Sequence, residues 1–520
     1  MESGNIILSH KNRNGVTMDK RKSILNVFVS IGFRLVTIVA SIVAKRFLIQ
    51  ICGNEMNGLN ALYLSIIDFL AVAELGIGTA ITFCMYKPIV EGKQDTVSAL
   101  YHLFRRLYLF IGIVILIAGL ALTPFIRYFA KDYASLDVNL QVTFLLMLIS
   151  VVATYLFGAQ ISLFNAYKNN YIATAIQSGG LVVQYVLQIV ALLATKSFVC
   201  FIICRILAVL LQWAITEILV HKEYRGILKN QQKLEKNHQR ELVKNIKAMF
   251  MHKVGTLLVN TTDSIIISTF IGVAMLGKYS NYAMIMTSMM SVIKLVFTSL
   301  TSVWGHLYAE KSKDVARSYC EAGHLLNFWI GALFCLGYYA VADNLVAILF
   351  SEDLMIAKSV SFIIALNGFV QYIRENTLVF REATGTFYND RWKPVAEGAV
   401  NVILSVAFVK WMGIAGVIVA TIITNLLICH IVEPYVLYKN AFEVSPRKYY
   451  RKNYGMIVVF TASLLLLNCC LQSYESQWKE LLTNGCIAVA IAMIVSLLVI
   501  PFNKVAFRNA VNIIKEKQAD

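Results

Sequence analysis

The stretch Gly53-Asn-Glu-Met56-Asn-Gly58-Leu-Asn-Ala-Leu-Tyr63-Leu-Ser-Ile66 returns, without a gap, as Gly272-Val-Ala-Met275-Leu-Gly277-Lys-Tyr-Ser-Asn-Tyr282-Ala-Met-Ile285. The offset (272 − 53 = 219) holds beyond these windows. Glu91 and Asp95 fall on Glu310 and Asp314, Arg34 on Lys253, and Ser41 on Asn260. Each copy sits on a pair of long apolar segments. Direct repetition of a helical membrane unit marks transporters built from two halves around a central path. Both copies run the same way through the bilayer, so the halves are expected to be parallel.

Composition supports a membrane setting. The 520 residues are 58% apolar and only 15% charged, with mean hydropathy +0.65. A water-soluble domain of this length needs far more polar surface, so the expected fold class is all-α and polytopic. The net charge of +17 is not gathered in a compact basic domain interleaved with aromatics, and no nucleic-acid partner is expected. None of the ten cysteines forms a Cys-x-x-Cys pair. They read as small buried hydrophobes, with neither metal, disulfide nor cofactor implied. Residues 1–22 are polar and basic, and the first apolar run is too long for a signal peptide, so it reads as a retained anchor.

About 20 apolar residues cross a bilayer as helix. That ruler gives about fourteen spans: 23–51, 58–86, 107–128, 138–164, 171–194, 197–220, 248–271, 278–308, 323–350, 355–380, 394–411, 413–438, 455–472 and 484–502. They are called spans 1 to 14 below. The halves become 1–220 and 248–440, joined by a basic linker at 221–247 and followed by an added helix pair at 453–505. Ile227, Leu234, Leu242 and Ile246 give the linker an apolar edge, so it reads either as a surface helix or as a solvated connection. With both termini cytoplasmic, inside segments hold 33 of the 47 lysines and arginines. Outside segments hold only Arg127, Lys131, Lys196, Lys278, Lys358, Lys410 and Lys479, as the positive-inside rule requires.

Charges within the spans carry the functional reading. Each costs about 2.5–3.5 kcal/mol in hydrocarbon on insertion scales, so each needs water or a partner. Basic examples are Arg34, Lys45, Arg46, Arg205, Lys253, Lys294 and Arg374; acidic ones include Asp68, Glu74, Asp263, Asp343, Glu375 and Glu397. At 100° per residue Arg34, Ser41 and Lys45 form one stripe of span 1, and Lys253, Thr256, Asn260 and Asp263 one stripe of span 7. Two polar stripes in equivalent halves suggest opposing walls of a cavity. Arg34 and Lys253 each lie 19 residues before the outer glycine, about 28 Å along a helix, so snorkelling to the inner surface is the competing reading. Lys45 and Arg46 are adjacent and cannot share a face. Lys294 sits near mid-membrane. Asp68 and Glu74 are about 120° apart and do not form a dyad. Glu74 and Asp263, with Asp68 and Glu375 behind them, are candidates for an ion or proton, or equally for structural pairs; Arg374 and Glu375 read as one such pair. Gly76 and Gly78 read as close-packing positions ahead of a flexible bend.

Three runs resemble a known family. They are Gly58-Leu-Asn-Ala-Leu-Tyr63 through Ala73-Glu-Leu-Gly-Ile-Gly-Thr-Ala80; Arg381-Glu-Ala-Thr-Gly385 with Asp390-Arg-Trp-Lys-Pro-Val-Ala-Glu397; and Glu433-Pro-Tyr-Val-Leu-Tyr438. They resemble the Wzx-type polysaccharide-biosynthesis flippases of the multidrug/oligosaccharidyl-lipid/polysaccharide exporter superfamily, over nearly the whole chain. The resemblance implies two six-helix lobes around a V-shaped cavity, with two extra helices. It implies a monomer in a bacterial plasma membrane that carries a polyprenyl-pyrophosphate-linked oligosaccharide outward by alternating access. Glycosyltransferases and a polysaccharide polymerase would be its working partners. Arginines lining the cavity of related lipid II flippases engage the pyrophosphate. Here Lys45 and Arg46 fall close to the expected positions and Arg34 away from them.

The physics points the same way. A sugar diphosphate cannot cross hydrocarbon unaided, and guanidinium forks or lysine point charges suit phosphate oxygens. Candidates for the pyrophosphate are Arg34, Lys253, Lys294, Lys45 and Arg46. Gln160, Asn165, Gln177 and Gln184 suit sugar hydroxyls or helix–helix hydrogen bonds. Two alternatives stay open. A multidrug exporter would want an apolar, acidic cavity. A membrane glycosyltransferase or polymerase would want a sizeable outside loop, whereas the longest here has about ten residues. A transporter, not an enzyme, is expected.

Overall fold

The computed structural model describes residues 15–74, 77–133, 136–167, 169–229, 261–298, 300–390 and 392–509. Among them there is no strand, only helices joined by short turns. Ten helices are long and apolar enough to cross a membrane, and they are spans 1, 3, 4, 5, 6, 9, 11, 12, 13 and 14. The other four differ for specific reasons. Spans 2 and 10 are divided into shorter helices. Span 7 is described only from residue 261. Span 8, Val273–Thr298, carries Lys278, Asn281, Ser291 and Lys294 among its apolar residues. Lys253, Thr256, Asn260, Gly76 and most of the 221–247 linker lie outside the described residues.

Several helices begin before their apolar runs. Span 1 starts at Gly15, span 3 at Gln94, span 9 at Lys313 and span 13 at Arg447. All four extensions lie at the basic ends. Hydropathy marks only the length immersed in hydrocarbon, whereas the backbone hydrogen bonds continue outward into water.

Spans 2, 4, 8, 10 and 12 are not the continuous rods that hydropathy implies. Span 2 runs Asn54–Leu70, tightens into a 3₁₀ turn at Ala71–Glu74, and resumes as Ile77–Val90. Span 4 divides the same way, into Leu140–Val152, Ala153–Leu156 and Gly158–Ala166. Span 10 divides into Lys358–Tyr372 and Glu375–Ala383. Span 8 ends at Thr298 and continues as Thr301–Glu310. Span 12 keeps its course but widens to a π-helix at Asn425–Cys429, between Ile414–Thr424 and His430–Asn440. The breaks of spans 4 and 10 obey the repeat, since Ala153 plus 219 is Tyr372.

A break inside a membrane leaves carbonyls that need new donors. In span 10 Asn327 of span 9 supplies them, donating Nδ2 to the carbonyls of Tyr372 (3.1 Å) and Ile373 (2.9 Å). In span 2 the packing is tight. A Cβ at Gly78 would lie 2.6 Å from the Tyr108 hydroxyl, and one at Gly158 only 2.3 Å from the Tyr108 ring. Tyr108 is therefore clamped between spans 2 and 4, which bears out the close-packing reading of Gly78.

Each lobe packs around its own spans, with span 1 on span 5, span 5 on span 6, and span 11 on span 12. The added pair packs on span 9 through span 14. Span 13 adds the Phe460 ring, stacked on Phe369 of span 10 at 3.7 Å between centroids. Leucines, isoleucines and valines such as Ile218, Ile403, Val458 and Leu497 remain exposed, which suits a lipid-facing surface.

The lobes meet where spans 2 and 8 begin. Gly53 and Gly272 turn the chain there with positive φ, 93° and 142°. Gly58 and Gly277 are equivalent positions, and each lies against the backbone of the opposite lobe. A Cβ on Gly58 would fall 2.0 Å from the Val273 carbonyl, and one on Gly277 2.4 Å from that of Asn54. Asn57 Nδ2 donates to the Gly277 carbonyl (3.0 Å), Ser280 Oγ (3.1 Å) and Asn281 Oδ1 (3.2 Å). Asn54 Nδ2 donates to the Ala274 carbonyl at 2.7 Å. This end of the molecule is closed.

Candidate functional site

Below that seam lies a cavity of about 390 Å³, enclosed by spans 7, 8, 10 and 12. Asp263, Tyr279, Ser291, Lys294, Gln371 and Thr421 are among its walls. Its volume falls within the range of about 300–1,000 Å³ usual for small-ligand sites. Apart from Thr421 of span 12, the polar lining comes from spans 7, 8 and 10, which are not among the ten long apolar helices of the described residues.

Of the sequence-derived cations, Lys294 lines this cavity and Arg34 touches its wall, whereas Lys45 and Arg46 bond outside it. Arg34 is exposed and reaches across the lobes, its Nε donating to Ser291 Oγ at 3.4 Å. Lys45 Nζ donates to Ser280 Oγ at 3.0 Å and lies 5.8 Å from the centre of the Phe350 ring. Arg46 donates Nη1 to the Ile348 carbonyl at 3.0 Å. Lys45 and Arg46 therefore both engage the second lobe despite being neighbours, because side chains about 100° apart on span 1 have stems long enough to reach spans 8 and 9. Lys294 Nζ stands 3.3 Å from Glu375 Oε2, with its side chain 45% exposed against 9% for Glu375.

The acids do not form one cluster. Glu74 sits at the break of span 2 and accepts a hydrogen bond on each oxygen, from Tyr108 (2.8 Å) and Tyr155 (2.6 Å). Asp68 is exposed and within electrostatic reach of both Arg205 on span 6 and Glu74. Asp263 faces the cavity and accepts from Thr421 Oγ1 at 3.3 Å, and Asn401 Nδ2 donates to that same hydroxyl at 2.9 Å. Asp263 Oδ1, Asn401 Oδ1 and Ser405 Oγ are buried without a hydrogen-bond partner. One carboxylate held by a neutral hydroxyl, with its other oxygen unpaired, suits a proton or a monovalent cation.

One expectation needs correction. Arg374 and Glu375 are not paired with each other, because the turn between the halves of span 10 sends them apart. Glu375 faces Lys294, while Arg374 donates Nε to Glu433 Oε2 at 2.9 Å and Nη1 to Asn425 in the π-helix. Of the glutamines, Gln160 makes a helix–helix link to Glu217 Oε2 at 2.7 Å, Gln184 bonds Gln188 within its own helix at 3.4 Å, and Gln177 is exposed, its carbonyl accepting from Gln212 at 3.2 Å.

Arg374 opens a buried network that sequence reasoning did not assemble. Lys393 Nζ binds Glu433 Oε1 at 2.6 Å and Glu397 Oε2 at 2.9 Å. Arg381 pairs with Asp390, and its Nη1 lies 3.7 Å from Glu433. Arg374, Arg381 and Lys393 are thus balanced by Asp390, Glu397 and Glu433. All six side chains are no more than 12% exposed. Arg381, Asp390, Lys393, Glu397 and Glu433 all come from the second and third runs that carried the family resemblance. The density of charge at the junction of spans 10 and 11 was the available signal, but only folding brings Glu433 back to it.

No family model and no curated protein matches the sequence. Solved structures do. The lipid II flippase MurJ, in an inward closed conformation, superposes with a TM-score of 0.64 at 12% identity, over 94% of this chain and all of that one (100%). An inward-facing multidrug resistance transporter of the MATE family, in the MOP superfamily, gives 0.64 at 12% identity over 79% of this chain and 98% of its own. A mutant of the Vibrio cholerae MATE transporter VcmN gives 0.54 at 16% identity, over 81% and 97%. At such identities the likeness establishes the fold. The chain has the architecture of MOP-superfamily transporters, the superfamily that its motifs resemble.

Proposed function

We propose that the chain is a flippase that moves a polyprenyl-pyrophosphate-linked oligosaccharide from the cytoplasmic to the outer leaflet of a bacterial plasma membrane. The carrying observation is the pair of cations at the cavity, Lys294 in its wall and Arg34 reaching across the lobes to Ser291, with Lys45 and Arg46 farther along span 1 and also bonded to the second lobe. Fixed cations in a wet, low-dielectric cleft bind a diphosphate more strongly than they would in bulk water. The near-complete overlap with a lipid II flippase, extra helices included, supports a lipid-linked cargo. Lys253, the repeat equivalent of Arg34, belongs to the same set.

The positive-inside rule places the Gly53 and Gly272 end outward. The closed seam then faces the exterior and the cavity faces the cytoplasm, as a carrier awaiting its load requires. Alternating access would part the Gly58 and Gly277 contact and close the opposite end. Asp263, with Asn401, Ser405 and Thr421, is the proposed seat of a coupling ion, and Glu74 that of a second. Glycosyltransferases would supply the cargo and a polymerase would consume it.

In the test, vesicles containing the protein are loaded with a fluorescent lipid-linked oligosaccharide, and its transfer between leaflets is timed. Replacing Arg34 and Lys294 together by Gln should lower the rate at least tenfold while membrane insertion stays normal. An unchanged rate removes these cations from the mechanism. The unpartnered Asp263 oxygen favours one competing reading, an exporter of organic cations. Dye efflux that vanishes in Asp263→Asn, with no lipid transfer in the wild type, would establish that alternative.

A further inference from the structure

The Lys294–Glu375 pair is loosely made. The atoms are 3.3 Å apart, yet Glu375 Oε2 is buried and has no hydrogen-bond partner. A buried ion pair stabilises only when its geometry is good and its remaining lone pairs are satisfied. The two partners also differ in freedom. Lys294 projects from span 8 into the cavity on a flexible stem, half exposed. Glu375 opens the lower half of span 10, directly after Arg374, which Glu433 and Asn425 hold in place. Its carboxylate cannot follow the ammonium away. When Lys294 leaves, the N-terminal end of the helix Glu375–Ala383 still favours the negative charge.

We infer that Glu375 is a specificity-determining residue, the built-in counter-ion of Lys294, displaced by a diphosphate and not by a singly charged phosphodiester. The inference rests on the flippase reading above and adds a filter to it. A cleft open to the membrane meets phospholipid headgroups in vast excess over any lipid-linked sugar. Each headgroup phosphate carries one negative charge, whereas the diphosphate diester of the cargo carries two. An uncompensated lysine would take either. A lysine already holding one carboxylate exchanges it only for the ligand with more charge. Discrimination built by penalising the wrong partner is a general route to specificity.

The experiment measures binding to the purified full-length protein in detergent. One probe is farnesyl-pyrophosphoryl-N-acetylglucosamine, and the other is dihexanoyl phosphatidylglycerol. Wild type should prefer the diphosphate. Glu375→Gln should gain roughly three- to tenfold in affinity for the phosphodiester, with a smaller change for the diphosphate, so the preference shrinks. Lys294→Gln should weaken the diphosphate. If Glu375→Gln does not fold, Glu375→Asp, which withdraws the carboxylate, should shift the preference in the same direction by less. An unchanged preference in a folded Glu375 variant, or weaker binding of both probes, overturns the filter while leaving the flippase reading standing. A wild type that binds neither probe overturns that reading itself.

Discussion

At the turn that divides span 4, the first lobe places Tyr155; 219 residues later, at the turn that divides span 10, the second lobe places Arg374. The hydroxyl of Tyr155 and that of Tyr108 hold Glu74, one carboxylate among neutral donors. Arg374 instead holds Glu433 and lies within 4.0 Å of Glu397, one guanidinium among carboxylates. Asn327, the equivalent of Tyr108, donates to the freed carbonyls of span 10. One backbone plan therefore carries two electrostatic solutions. In the first lobe two neutral phenols meet a single carboxylate. The second lobe balances three cations against three carboxylates and tolerates no single loss. The comparison assigns rigidity to the junction of spans 10, 11 and 12.

The largest expected effect tests that rigidity. Glu433→Gln leaves Arg374 and Lys393 without their shared carboxylate, and removing one partner of a buried pair costs about 3–5 kcal/mol. A melting curve in detergent should show a large fall or loss of the folded protein. A near-normal melt would break the contrast, because the network would then be dispensable. Next comes the first lobe. Tyr155→Phe removes one donor from a partly buried carboxylate, worth about 1.5–3 kcal/mol for a hydrogen bond to a charged group. The melting temperature should fall modestly, by less than for Glu433→Gln. A fall as large as that of Glu433→Gln would break the contrast between the lobes.

The smallest expected effect sharpens the comparison at a residue both lobes share. Tyr63 donates to the Leu140 carbonyl at 3.0 Å and bonds Thr143 at 2.9 Å, all neutral partners. Its equivalent Tyr282 donates to Asp343 at 2.7 Å, which also pairs with Lys358 at 2.8 Å. Tyr63→Phe should cost about 1 kcal/mol and Tyr282→Phe somewhat more, because only the latter leaves a carboxylate short of a donor. Equal shifts in the two melting curves would show that the charge on Asp343 adds nothing.

Much of this was readable from the chain. The repeat located the seam, since the glycines it conserves, Gly58 and Gly277, are the ones that touch across the lobes. Apolar run length marked spans 2, 8 and 10 along with the rest but read them as unbroken, because it does not register the turns that divide them or the polar walls they form. In-span charge identified Arg34, Lys45, Arg46 and Lys294 as residues needing partners, and each has one. It could not say which. The pairing of Arg374 with Glu375 failed because neighbours on either side of a helix break point apart.

The amino-acid order by itself carried the class, the internal repeat and the excess of cations within the spans. These follow from quantities that accumulate locally, such as apolar run length, charge per loop and identity at a constant offset. Only the tertiary structure decided that Glu433 closes a network with Arg374, Arg381 and Lys393, that two tyrosines hold Glu74, and that Lys294 waits on Glu375. A buried charge is compensated by whatever lies within a few ångströms. That neighbour is chosen by how helices dozens of residues apart pack and break, which no local pattern records.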